Sequence, residues 1–236
     1  MNWLERTELL FGKEKLNQLK EANVLVVGLG GVGAYAAEQL CRAGVGTMTI
    51  VDGDVVEPSN RNRQLPALIS TTRKPKVEVL KQRFLDINPE LHLIVRNEFV
   101  SDEKIVELLT SQPFDYVVDA IDTLSPKVYL VYHSIQLGLK VVSSMGAGGK
   151  TDPSKIEISD ISKSYSCRLA KAMRKRLMRL GIDKGVKVVF SSETVDKRAI
   201  RPEESKFKKS TVGTISYMPP LFGCFIASVV IRDLIS

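Results

Sequence analysis

The chain predicts an α/β fold in which a mostly parallel sheet is covered by helices on both faces. Three observations carry that expectation: short apolar runs of strand length alternate with helical patterns, a glycine turn joins the first run to an alanine-rich helix, and the rhythm changes after residue 149. The expected class is Rossmann-like, with an antiparallel C-terminal extension.

In chain order, strands are expected at 24–27, 47–51, 91–95, 116–118 and 140–143, and helices at 31–43, 75–87, 102–110 and 125–137. This βαβα order places a helix after each strand, which lets successive strands run parallel. Residues 155–161 then alternate apolar and polar side chains as a half-exposed strand would, and a charged helix and an apolar run at 186–190 follow. Both late strands are expected to join the sheet with antiparallel partners. No internal repeat or low-complexity segment interrupts the pattern, so residues 1–236 read as one domain, with a core at 1–150 and an integral extension at 151–236.

Composition narrows the class further. The N-terminus shows no secretory signal, and Cys41, Cys167 and Cys224 are scattered without a CxxC pair. That usage fits a reducing compartment, so a cytoplasmic location is expected and no zinc site is expected. The last apolar stretch, 217–231, is short of the roughly 20 residues a membrane span needs and carries two prolines near its start, which favours a buried terminal helix over membrane insertion. Charge is divided unevenly. Residues 1–150 hold 17 Lys+Arg against 18 Asp+Glu, whereas residues 151–236 hold 17 against 9. The basic extension points to a polyanionic partner.

The turn Gly28-Leu29-Gly30-Gly31-Val32-Gly33 closes an apolar run and opens a helix, the context in which glycines form a phosphate site. Backbone amides can approach phosphate oxygens there, and the positive end of the helix dipole stabilises negative charge. Asp52 ends the second strand about twenty residues on, where an acid can bind ribose hydroxyls, so an NAD-dependent oxidoreductase is one reading. The following segment argues for a different nucleotide. Asn60, Arg61, Arg63 and Gln64, with Lys76 at the next helix start, bring more positive charge than a nicotinamide pocket requires. A nucleoside triphosphate attacked at its α-phosphate does require it.

The ordered set of GxGGxG, Asp52, Asn60-x-x-Arg63-Gln64, Lys76 and Asp119-Ala120-Ile121-Asp122 resembles the ATP-dependent adenylating superfamily that includes ubiquitin-activating enzymes and the ThiF and MoeB proteins. The resemblance implies that Gly28, Gly30, Gly31 and Gly33 cradle ATP and that Asp52 binds its ribose. It further implies that Asn60, Arg63 and Lys76 contact the triphosphate, that Gln64 supports Arg63, and that Asp122 places Mg²⁺. Arg6 matches an arginine that reaches across a homodimer to the partner's phosphates. Against these roles stand plainer ones: Arg63 and Lys76 as solvated charges, and Asp119 as a turn former.

The block 146–156, with Asp160-Ile161 and 189–193, is similar to one branch of that superfamily, the tRNA threonylcarbamoyladenosine dehydratases (TcdA- or CsdL-like). One departure is Ser166-Cys167-Arg168, where the branch often carries Asp-Pro. The branch implies ATP-dependent cyclisation of threonylcarbamoyladenosine in tRNA, through adenylation of its carboxylate and release of AMP and pyrophosphate. Two alternatives stay open: adenylation of the Gly-Gly end of a ubiquitin-like sulfur-carrier protein, and the oxidoreductase. A sulfur-transfer protein is a candidate partner. In residues 166–180, Leu169, Met173, Leu177 and Leu180 recur at helical spacing, which leaves Arg168, Lys171, Arg174, Lys175, Arg176 and Arg179 for the outer faces. These residues, together with Lys206, Lys208 and Lys209 in a second basic cluster, are the expected tRNA contacts.

Overall fold

The computed structural model describes residues 2–202 and 210–236. Its centre is β1 (Asn23–Val27), flanked by β2 (Thr47–Val51) and, on the other side, by β4 (Tyr116–Asp119), both parallel to it. With β3 (His92–Arg96), β5 (Val141–Ser144), β6 (Ile156–Asp160) and β7 (Lys187–Ser191) the sheet runs β3-β2-β1-β4-β5-β7-β6. The strand order reverses between β1 and β4, and in open parallel sheets that switch point opens a crevice at the strands' carboxyl ends.

Helices cover both faces. On one lie α3 (Gly33–Ala43), α4 (Lys76–Ile87) and α8 (Met218–Leu234), whose Leu40, Phe84, Phe222 and Ile226 pack on Val24, Val26 and Ile50. On the other, α5 (Asp102–Thr110), α6 (Leu124–Gln136) and α7 (Arg168–Arg179) bring Leu108, Val131, Met173 and Leu177 onto Leu25, Val27 and Val117. Neighbouring strand residues thus feed opposite cores, as a period of two demands. The terminal apolar stretch forms α8, buried against α3, and no described helix is long and apolar enough to cross a membrane.

β6 and β7 pair antiparallel, as expected, but β7 also runs parallel to β5, which places β6 at the sheet edge beyond it. The chain passes from β6 through α7 and enters β7 between β5 and β6, so the apolar β7 sits inside the sheet and the half-exposed β6 outside it. A separate hairpin pairs β8 (Ile200–Pro202) with β9 (Ser210–Val212). Two helices also precede β1. α1 (Glu5–Phe11) buries none of its side chains, and α2 (Lys13–Glu21) anchors itself through Leu16 and Leu19.

Candidate active site

The glycine turn lies at the carboxyl end of β1 and is held on three sides. Gly28 has φ +88°, and a Cβ there would stand 2.8 Å from the Ala120 carbonyl oxygen, so only glycine lets the 119–122 turn close over it. At Gly33 a Cβ would stand 1.8 Å from the Gly28 oxygen, which explains glycine where α3 begins. The third side comes from the 60–64 segment and α8: the site of a Gly31 Cβ is 3.3 Å from the Arg63 oxygen and 2.9 Å from Pro219 Cβ. Within the first turn of α3, Ala34 N donates to the Gly30 oxygen at 3.3 Å and Ala36 N to the Val32 oxygen at 3.0 Å, and the positive end of the helix dipole lies at this turn.

Asp52 is fixed from below. Its Oδ2 accepts from Leu29 N at 2.6 Å and its Oδ1 from Asp54 N at 2.8 Å. Burial pushes its carboxyl upward, against the pull of the nearby Lys76 ammonium and the two amides. Lys76 is not a solvated charge: it is 4% exposed at the start of α4, and its Nζ lies 2.7 Å from Asp54 Oδ2. Arg63 donates to the Ser59 oxygen at 3.0 Å and to Asn62 Oδ1 at 2.8 Å, both local partners. Asn60 caps the short 3-10 turn Pro58–Asn60, its Oδ1 accepting from Glu57 N at 3.1 Å.

Gln64 is placed differently from the expected support of Arg63. Its Nε2 lies 3.8 Å from the site of a Gly30 Cβ, and its Oε1 is buried without a hydrogen-bond partner. Leaving such an atom unpaired costs about 1–3 kcal/mol, which a polar ligand seated in the turn would relieve. The glycine turn is thus contacted by the Asp52 carboxylate, the Arg63 backbone oxygen and the Gln64 side chain, with the Lys76 ammonium near Asp52. Asp122 is exposed at the end of the turn that closes over Gly28. Arg6, on the exposed α1, joins none of these contacts.

Composition and motif reading missed several supporting side chains. Lys127, fully buried on α6, lies 2.8 Å from Asp119 Oδ2. Its signal was faint, a single lysine in the otherwise uncharged stretch 124–132. Glu38 of α3 binds Arg83 of α4 at 2.5 Å and Arg42 at 2.8 Å, which ties the helix starting at the glycine turn to the helix starting at Lys76. Lys150 is buried as well, its Nζ donating to the carbonyls of Ser166, Ser191 and Glu193, and burial lowers its pKa.

The basic helix α7 is amphipathic as expected, with Ala170, Met173 and Leu177 buried and Arg168, Lys171, Lys175, Arg176 and Arg179 exposed. Arg174 departs from that group. It turns inward and donates to the Ile161 oxygen at 3.2 Å, the Ser164 oxygen at 2.6 Å and Ser164 Oγ at 2.8 Å, because Ile161 and Ser164 pass beneath the helix. Lys206, Lys208 and Lys209 lie outside the described residues.

The ThiF family model matches residues 4–236. The chain belongs to the ThiF family. The match takes in the basic extension as well as the glycine turn. Among curated ThiF-type relatives, the tRNA threonylcarbamoyladenosine dehydratase of Bacillus subtilis is 41% identical over 243 residues, spanning 100% of this chain and 95% of that one. Among solved structures, the Escherichia coli tRNA N6-threonylcarbamoyladenosine dehydratase TcdA in complex with ATP aligns with TM-score 0.90 and 32% identity, over 98% of this chain and 93% of that one. The same E. coli protein in complex with AMP aligns with TM-score 0.89. The ThiF fold of this chain, helices on both faces of a mostly parallel sheet, is thus the fold of a nucleotide-bound relative along nearly its whole length.

Proposed function

We propose that the chain catalyses ATP-dependent dehydration of threonylcarbamoyladenosine in tRNA. The end-to-end likeness to the B. subtilis dehydratase carries this reading, because it includes the extension as well as the nucleotide core. The side-chain carboxylate of the modified nucleoside attacks the α-phosphate of ATP, forming a mixed anhydride and releasing pyrophosphate. The carbamoyl group then attacks the activated carbonyl, closes a ring and expels AMP, for a net loss of one water. Activation is needed because carboxylate oxygen is a poor leaving group. Closure is favoured because nucleophile and electrophile are tethered.

The glycine turn and the α3 amides hold the phosphates, Asp52 holds the ribose, and Arg63 and Lys76 offset the charge that builds on the phosphoryl oxygens. Asn60 and Gln64 complete the lining. Mg²⁺, when bound, neutralises phosphate charge. It ordinarily takes one or two carboxylates with phosphate oxygens, a demand that the exposed Asp122 fits. The outer face of α7 neutralises tRNA phosphates, with Lys206, Lys208 and Lys209 as further contacts.

The working unit is a homodimer in which Arg6 of one protomer reaches the phosphates of its partner. The exposed apolar surface of α1 supports this: Leu9 is 81% and Leu10 74% exposed on a helix with no fully buried residue. Sedimentation of the purified chain tests it, with a monomer overturning the proposal. The enzyme is placed in the cytoplasm, where its tRNA substrate is.

The deciding experiment incubates the protein with Mg-ATP and threonylcarbamoylated tRNA and digests the RNA. A nucleoside lighter by one water supports the dehydratase. Unchanged tRNA, with pyrophosphate exchange that depends on a Gly-Gly carrier protein, supports the carrier-activating alternative.

A further inference from the structure

Lys127 and Asp119 form a wholly buried ion pair behind the glycine turn, and apart from one bond from Ser143 its remaining bonds converge on one short segment. Lys127 Nζ donates to the Ile121 oxygen at 3.0 Å as well as to Asp119 Oδ2. Asp119 Oδ1 accepts from Ile121 N at 3.1 Å, and its Oδ2 also accepts from Ser143 Oγ at 2.5 Å. Both polar backbone groups of Ile121 are therefore tied to the pair. Ala120 N donates to the Val27 oxygen at 2.9 Å, and the Ala120 carbonyl lies over Gly28. Asp122 follows directly.

A buried pair of this kind is a weak source of stability, since well-packed apolar side chains of similar volume often serve as well or better. Its arrangement does something apolar side chains cannot. It fixes the direction of two peptide groups immediately before an exposed carboxylate, and it connects them through Ser143 to the next strand. Supporting bonds that orient a metal-holding carboxylate are a recognised determinant of metal affinity.

We propose that Lys127 is a positioning residue: with Asp119 and Ser143 it locks the 119–122 turn so that Asp122 meets the Mg²⁺ of the bound nucleotide. The proposal rests on the adenylating reading above, in which Asp122 has that role. Lys127 itself touches neither nucleotide nor metal.

The test compares ATP affinity with and without Mg²⁺ by calorimetry, in wild-type protein, in the double variant Asp119→Asn/Lys127→Met, and in Ser143→Ala. The double variant removes both charges together, so that no lone buried ion is left behind. The expected result is Mg²⁺-free ATP affinity within about threefold of wild type, while the tightening that Mg²⁺ brings falls about tenfold or more. Ser143→Ala, which removes one bond on Asp119, shows a smaller loss in the same direction. Wild-type Mg²⁺ dependence in a folded double variant overturns the proposal, and so does an equal loss of affinity with and without the metal, which marks the pair as merely structural. If the double variant does not fold, Ser143→Ala decides, and an unchanged Mg²⁺ dependence there overturns it. Because the readout is binding, it is independent of whether tRNA is the substrate: an inert modified tRNA overturns the dehydratase reading alone.

Discussion

Lys76 Nζ lies 2.7 Å from Asp54 Oδ2, and the two ends of this pair live in different surroundings, the lysine buried and the aspartate about half exposed. The short loop from β2 folds back on α4, so that Lys76 N also donates to the Asp54 oxygen at 3.1 Å. The ammonium is thereby held near Asp52, with a half-exposed counterion that a phosphate would replace in the proposed nucleotide site. Lys76→Met keeps the buried stem and removes the charge. Pyrophosphate release with ATP and tRNA is expected to fall about a hundredfold or more, whereas the melting temperature moves little, since pairs with one exposed partner contribute about 0–1 kcal/mol.

Arg63 makes its hydrogen bonds within its own turn, to Ser59 and Asn62. Arg63→Ala is therefore expected to leave folding within about 0.5 kcal/mol of wild type while lowering turnover by about 10²–10³-fold. Chemical denaturation and AMP release, measured on the same preparation, separate the two effects. Near-normal AMP release removes the phosphate role of Arg63.

Gly33→Ala places a methyl group where the Gly28 oxygen already stands. The glycine turn must open to admit it. Calorimetry is expected to show ATP affinity reduced by about tenfold or more, with a stability cost of about 1–3 kcal/mol from overpacking. Unchanged ATP binding in the folded variant contradicts the assignment of this turn as the phosphate cradle.

Glu38 supplies a pH dependence whose sign follows from its partners. Burial opposes its charge, but Arg83 and Arg42 together hold the carboxyl below its ordinary value of 4.5. The folded state thus binds fewer protons at this site than the unfolded chain does, and the contribution to stability is full above 4.5 and fades as pH falls through the folded value. Urea titrations from about pH 6 downward are expected to show a steeper loss for wild type than for Glu38→Gln. Parallel curves for the two proteins refute the linkage between α3 and α4.

On α7 the exposed and inward-turned cations are expected to behave differently. Replacing Lys171, Lys175 and Arg179 by Gln is expected to weaken tRNA binding and to flatten its salt dependence by about 0.7–0.9 logarithmic units for each phosphate no longer neutralised, with the melting temperature preserved. Arg174→Ala, which removes the donor to the Ser164 carbonyl, is expected to destabilise the fold by about 1–3 kcal/mol instead. Filter binding at two salt concentrations, alongside thermal melts, distinguishes these outcomes.

Much of the site is legible in the sequence because its signals are local. The glycine spacing, the acid at the end of β2 and the cluster at 60–64 each report a backbone or charge requirement within a few residues. Long-range partners leave no such trace. The burial of Lys76 is not legible in its sequence neighbours, since its partner Asp54 stands 22 positions earlier. Lys127 escapes notice because Asp119 and Ser143 belong to other elements, the latter 24 positions from Asp119.

By itself, the sequence determined the alternation of strands and helices, the glycine turn and the amphipathic α7, because periodicities of two and 3.6 and glycine spacing are properties of consecutive residues. Only the tertiary structure decided that β7 enters parallel beside β5, that Arg174 turns inward and that Gln64 faces Gly30. A periodic pattern states which side of an element is apolar, but not which way a strand runs in its sheet. The partner of a buried polar group is likewise set by whichever distant segment packs against it.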